Sequence, residues 1–302
     1  MRKISNQPHI VNSISELHRL LSLPKPEHPL VSVINLKDIK PSGKESLIFN
    51  FYSIWLEKNV ESKIRYGQNY FDFDEGSMIF LSPGQIVSTG SHHKTEYGWG
   101  LVFQPDFIRN YALAKLIRSY GYFSYVVNEA LHLSQKEEKT ITSIMQNILK
   151  ECRSVIDNYS QDVIVSQIEL LLNYSNRFYN RQFITRKSVN NDLLSRLETL
   201  LTVYFNSNKI NESGIPTVQY ISAQLNLSPN YLSDMLRSLT GLNTQQHIHN
   251  KLIEKAKEIL STTTLSVSEI AYELGFEYPQ SFSKLFKNKT NVSPLEFRHS
   301  FN

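Results

Sequence analysis

The sequence predicts an α+β protein: an antiparallel β domain with a helical hairpin, followed by an all-α domain. Three observations carry this expectation. Apolar residues follow a two-residue period from 30 to about 104 and then take helical spacing from 134 onward. Turn strings such as PSG, DEG and SPGQ cut the first region into short runs. Near the C-terminus one small unit occurs twice, as VQYISAQLNLSPNYLSDMLRSLTGLNT at 218–244 and VSEIAYELGFEYPQSFSKLFKNKTNVSP at 267–294.

The bulk numbers bound the rest. At 302 residues the chain can form two domains, each burying its own core. Hydrophobic content of 40% and charged content of 20% fit a globular protein, and the net charge of +4 gives nucleic-acid binding only modest support. A single cysteine excludes an intrachain disulfide framework and fits a reducing, cytoplasmic setting. Arg2 and Lys3 are not followed by a long apolar run, so neither a signal peptide nor a membrane span is expected.

Residues 1–28 hold a brief helical pattern (Ile14, Leu17, Leu20, Leu21) that PKPEHP ends. Strands are expected at 30–36, 46–56, 63–66, 77–81, 86–89 and 98–103. Short strands with frequent turns suggest an antiparallel sandwich or small barrel. Its aromatics Phe49, Phe51, Tyr66, Phe80 and Trp99, with Phe71 and Phe73 nearby, either fill the core or line a small-molecule pocket. His92, His93 and Glu96 form the only metal-like cluster of this region. Adjacent residues on a strand point to opposite faces, so the pair chelates poorly and no metal or other cofactor is expected. Residues 105–134 carry no assigned chemistry.

Ser134 reads as an N-cap with Glu137 and Glu138 in the first turn. Behind it Ile141, Ile144, Met145, Ile148 and Leu149 form one apolar stripe. A second stripe runs through Ile164, Ile168, Leu171 and Leu172. The pair either packs on the β domain or joins two copies of the chain, with Ile144, Ile148, Ile168 and Leu171 as candidate dimer contacts. Cys152, on the first stripe, has no base within a turn and reads as packing rather than as a nucleophile. RQFITRKS at 181–188 is polar and basic, a linker, and another amphipathic helix follows it from 189.

The two copies match at an offset of 49 before the turn (Ile221 with Ile270, Leu225 with Leu274) and 50 after it (Leu232 with Phe282, Leu236 with Phe286). Each is an apolar stripe, a short turn bearing Asn226 or Gly275, and a second stripe: a helix-turn-helix. The exposed face of the first recognition helix, about 229–240, carries Asn230, Ser233, Asp234 and Arg237. The second, about 279–289, carries Gln280, Ser281, Ser283, Lys284, Lys287 and Lys289. A helix fits the major groove with its early residues at base edges, so Arg237, Lys287 and Lys289 fall to phosphates.

The two units, joined by QQHIHNKLIEKAKEIL, resemble the DNA-binding domain of AraC/XylS-type transcriptional regulators, above all in SEIAYELGFEYPQSFSKLFKNKTNVSPLEFR. Asn291, Lys251 and Asp234 depart from the usual pattern, in which Gly, Arg and a polar or basic residue are common. The resemblance implies base contacts at Asn230, Ser233, Asp234, Gln280, Ser281, Ser283 and Lys284. It also lends weight to EGSMIFLSPGQIVSTG, which is similar to the cupin-like barrel of the same family's sensing domain. The implied organisation is a cupin-like effector domain at 1–133, a dimerisation hairpin at 134–180, a linker at 181–188 and a double helix-turn-helix domain at 189–302. The implied function is a cytoplasmic, dimeric, ligand-responsive transcription factor that acts as an activator. Its partners are operator DNA, a small-molecule effector and RNA polymerase. Two alternatives stay open: a cupin-type metalloenzyme with a helical extension, and a DNA-binding protein whose barrel only dimerises.

Overall fold

The computed structural model describes residues 8–40, 46–58, 65–66, 69–70, 76–88, 97–155, 157–185 and 187–300. The chain divides into two compact units, Met1–Gln182 and Phe183–Asn302. Among the described residues no helix is long and apolar enough to cross a membrane.

The first unit begins with β1 (His9–Val11) and α1 (Ile14–Leu20), whose N-cap Ser13 accepts from the Glu16 amide. Then come β2 (Val31–Asn35), β3 (Ser46–Phe49), β4 (Tyr52–Lys58), β5 (Arg65–Tyr66), β6 (Asn69–Tyr70), β7 (Ser77–Leu81), β8 (Ile86–Ser88) and β9 (Tyr97–Phe103). The helices α2 (Leu113–Leu116), α3 (Gln135–Arg153) and α4 (Ser160–Thr185) follow, with the short strand β10 (Leu131–His132) just ahead of α3. The main sheet has the order β10-β7-β4-β9-β2 and is antiparallel throughout. A smaller sheet, β1-β3-β8, includes a parallel pair, His9 opposite Leu47.

Among the described residues the sheets are open and do not close into the expected barrel. The run expected as one strand at 46–56 is two strands in different sheets. The break falls at Asn50 and Phe51, where the Asn50 amide turns to the Val11 carbonyl at 3.0 Å. An alternating pattern reports burial on one face and cannot tell which partner strand supplies it.

The pleat gives the main sheet two different faces. One presents Ile34, Trp55, Ile79, Leu81 and Val102 to β1, α1 and β3, whose Val11, Ile14, Leu17, Leu47 and Phe49 complete a core cluster with Phe51. Here Trp55 lies over Gly100, where a Cβ would sit 2.2 Å from the indole ring. The other face presents Ile54, Met78, Phe80, Leu101 and Phe103, all buried, to the helical side. There Phe80 meets Tyr122 at 4.4 Å and Tyr179 of α4 at 6.2 Å between ring centroids.

This sorting disperses the expected effector pocket. Phe49 and Phe51 belong to one core and Phe80 to the opposite one; all three are buried. Trp99 pairs with Leu56 on the helical face and is half-buried. The side chain of Tyr66 lies outside the described residues, as do Phe71, Phe73, His92, His93 and Glu96. Among the described residues no cluster of three or more His, Cys, Asp or Glu could hold a metal.

The expected dimer contacts are also corrected. Ile144 is 4% exposed, and Ile148, Ile168 and Leu171 are 0% exposed within a single chain. Helical spacing predicted their burial rightly, but their own unit provides it. Ser134 and Glu137 form the anticipated capping box of α3, and Arg181 of α4 grips Glu137 at 2.6 Å. Burial and the neighbouring Glu151 push the Cys152 thiol up to about 11, which leaves it a poor nucleophile.

The second unit is helical: α5 (Lys187–Phe205), α6 (Lys209–Ser213), α7 (Val218–Gln224), α8 (Pro229–Thr240), α9 (Thr244–Thr262), α10 (Val267–Glu273), α11 (Pro279–Thr290) and α12 (Pro294–His299). The segment expected as a linker is helical on both sides of residue 186.

Candidate nucleic-acid interface

The repeat in the sequence becomes two helix pairs, α7–α8 and α10–α11, both packed on α9. In each pair the apolar stripe faces inward. Ile221, Leu232, Met235 and Leu236 are 0% exposed in the first, as are Ile270, Phe282 and Phe286 in the second. The turns use the left-handed backbone: Asn226 has φ 57° and Gly275 has φ 79°. The ends of the recognition helices use it too, but with the residues exchanged: Gly241 at φ 77° closes α8 and Asn291 at φ 65° closes α11. Asn is the side chain that best tolerates this region, so the unusual Asn291 costs little there.

Ser228 caps α8 through the Tyr231 amide, and Pro229 fills the first helical position. In the second unit the inserted residue changes this entry. Tyr278 occupies the N-cap and makes no side-chain cap bond, while Pro279 again starts the helix.

The candidate DNA-contacting residues divide by what they already touch. Asn230, Gln280, Ser281, Lys284 and Lys287 are exposed, and their side chains make no hydrogen bond among the described residues. Ser283 is half-buried and equally unengaged. Ser233, by contrast, shares a hydrogen bond with the Thr244 hydroxyl at 2.9 Å, inside the domain. Asp234 accepts from Arg237 at 2.8 Å within the same helix. Lys289 donates to Asn250 of α9 at 2.9 Å.

Sequence reasoning missed the fastenings on α9. Thr240 meets His247 Nε2 at 2.9 Å, and Asn243 forms a capping box with Gln246. At the other end, Arg298 of α12 donates to the Leu260 and Leu265 carbonyls at 3.3 and 2.6 Å. Its guanidinium thus meets acceptors at the C-terminal end of α9, where a helix dipole favours positive charge. Only the Arg in SPLEFR hinted at this. Burial lowers the pKa of His247 and, together with Lys289, that of His249, so both imidazoles are neutral at pH 7.

Paired recognition helices on a shared scaffold helix, with a cationic second helix, define a helix-turn-helix DNA-binding protein. The sequence comparisons agree. The sequence model of a family described as a helix-turn-helix domain matches residues 221–300. The lactose operon transcription activator of Staphylococcus xylosus is 22% identical over 75% of this chain and 81% of its own length. The HTH-type transcriptional activator RhaS of Salmonella schwarzengrund is 24% identical over 89% of this chain and 97% of its own. A crystal structure of ToxT from Vibrio cholerae O395 is 18% identical over 90% of this chain and 97% of that one, with a TM-score of 0.31. Six other relatives are matched over only 9–57% of their length. The chain is thus similar to AraC/XylS-type transcriptional regulators and carries their helix-turn-helix domain over residues 221–300, which makes it a DNA-binding transcription regulator.

Proposed function

We propose that this regulator reads two successive major grooves on one face of its operator, with α8 in one and α11 in the other. The observation that supports this is the mounting of both units on α9. Its 19 residues span ~28 Å, close to the ~34 Å between successive major grooves. Side chains tie α8 to the start of α9 and α12 to its end. The pair is thereby held as one reading head rather than two swinging ones.

The exposed residues assign the roles. Gln280, at the start of α11, suits adenine, and Lys284, one turn on, suits guanine. Lys287 lies next to buried Phe286 and reaches a phosphate. Two relatives matched over most of their length are named activators, so we take activation, through contact with RNA polymerase in the cytoplasm, as the mode of action.

In this reading the first unit is the regulatory module. Its small-molecule effector binds outside the filled cores around Phe51 and Phe80. The regulator acts as a homodimer whose contact is an outward stripe on α4 rather than the inward one. Val163 and Leu170 are each 42% exposed, with exposed Ser166 on the turn between them and exposed Asn173 and Arg177 on the turns beyond, a spacing close to the seven-residue period of paired helices.

The test is affinity for the DNA upstream of the protein's own gene, against a scrambled duplex, over a range of salt. Lys287→Ala should weaken both duplexes about equally and reduce the magnitude of the salt slope by ~1. Equal affinity of the wild-type chain for both duplexes would refute sequence-specific reading.

A further inference from the structure

Comparing the two recognition helices position by position exposes an asymmetry that the sequence repeat conceals. The Ser233 hydroxyl of α8 is committed to Thr244, which is 0% exposed. Its counterpart Ser283 is spared, because the residue equivalent to Thr244 in the second copy is Pro294, which carries no hydroxyl. The Asp234 carboxylate is committed to Arg237, and each cancels the other's charge. Thr240 is held by His247, whereas its counterpart Thr290 bonds only within its own turn, to the Phe286 and Val292 carbonyls. One exposed polar group of the set, Asn230, remains unengaged on α8. Over Pro279–Thr290 there are three lysines and no acid, against one Asp and one Arg over Pro229–Thr240.

We propose that sequence discrimination is concentrated in α11, at Gln280, Ser281, Ser283 and Lys284, while α8 supplies register and affinity with little base preference. The inference rests on the reading that both helices enter the major groove. Its physical basis is that a base contact from Ser233 or Asp234 must first break a bond inside the protein, so part of the gain is lost. A contact from Gln280 or Lys284 breaks only bonds to water. Gln280 and Lys284, four residues apart, stand on one helix face and can address neighbouring base pairs. With Arg237 neutralised by Asp234, α8 also offers the flanking phosphates no net positive charge, unlike the three lysines of α11.

The experiment is selection of duplexes from a randomised library by the full chain, followed by single-base substitution across the selected site. Two blocks one helical turn apart should emerge. Substitutions in one block should cost about tenfold or more in affinity, and in the other no more than about threefold. Gln280→Ala and Lys284→Ala, each verified as folded by circular dichroism, should flatten the strict block at different positions and leave scrambled DNA little changed. Because there are two such variants, a folding failure in one leaves the test intact. Asp234→Ala should raise affinity for selected and scrambled duplexes alike, by about threefold, without relaxing the preference. Equal strictness in both blocks, or loss of discrimination in Asp234→Ala, overturns the assignment while leaving two-groove reading in place. Failure to enrich any sequence refutes the two-groove reading itself.

Discussion

Replacing Gly275 by valine should destabilise the second unit more than its turn conformation alone requires. Two effects add at this position. The backbone has φ 79°, and a side chain with a branched Cβ pays ~1–2 kcal/mol for that left-handed region. In addition, a Cβ built here meets Gly214 Cα at 3.0 Å and the Ile215 amide nitrogen at 3.1 Å. Both are backbone atoms of the segment leaving α6, so neither can swing aside, and overpacking of this kind costs ~1–3 kcal/mol. The expected total is about 2–5 kcal/mol, or a fall in Tm of roughly 10–20 °C for a domain of this size. Calorimetry on the full chain, with DNA affinity as a second readout, measures it. Two further substitutions separate the effects. Gly275→Asn retains the close approach but tolerates the left-handed backbone, and should cost ~1–3 kcal/mol. Gly241→Asn, at φ 77° with nothing within 4 Å of its added Cβ, copies the Asn291 of the second unit and should cost under ~1 kcal/mol. Equal costs for the two asparagine variants would show that the approach of Gly214 to Gly275 contributes nothing.

Three other expectations follow from buried and exposed positions. Ile148→Glu places a charge at a site of 0% exposure and should unfold the first unit, whereas Leu170→Glu should stay folded and shift sedimentation from dimer to monomer. A monomeric wild type at micromolar concentration sinks the dimer proposal. Arg298→Ala removes two charged hydrogen bonds from a half-exposed site and should cost about 2 kcal/mol; a loss within the ~0.5 kcal/mol typical of plain surface changes would deny α12 its fastening role. On acidification the unfolded chain protonates its histidines first, because burial holds His247 below 6.5 in the fold. Stability is therefore complete above about pH 6.5 and declines as pH falls towards the folded value. The capping-box carboxylates of Glu269 and Glu296, held below 4.5 by hydrogen bonds from Ser266 and Ser293, add a second decline below that pH. Thermal melts of wild type and His247→Asn from pH 8 to 4 should differ in the upper decline and share the lower one.

The second unit was legible in the sequence because its signals are local. Ser228, Pro229, Asn226 and Gly275 each act within one turn of chain, and the inward stripe needs only helical spacing to be seen. The interface was harder to read for the same reason. Nothing near Ser233 in sequence announces that Thr244 will take its hydroxyl, since that bond joins two helices. In the first unit, period two revealed strands but not partners. The division of 46–56 between two sheets depends on Asn50 turning to Val11, a contact from far along the chain. The stripes of α3 and α4 showed burial without showing that the burying surface lies in the same molecule.

The strand order of the main sheet also bears on how the chain folds as it is made. Val31, on one edge of that sheet, pairs with Phe103, and β10 on the other edge arrives later still. An emerging β2 must therefore wait, unpaired, until most of the first unit has been synthesised. The second unit depends on neighbours along the chain, α7 with α8 and α10 with α11, which can meet within microseconds of appearing. The slow half of the molecule is translated first and the fast half last. During that wait β2, with Val31, Val33 and Ile34 buried in the finished fold, is an unpaired apolar strand. The first unit is therefore where misfolding on the ribosome should begin.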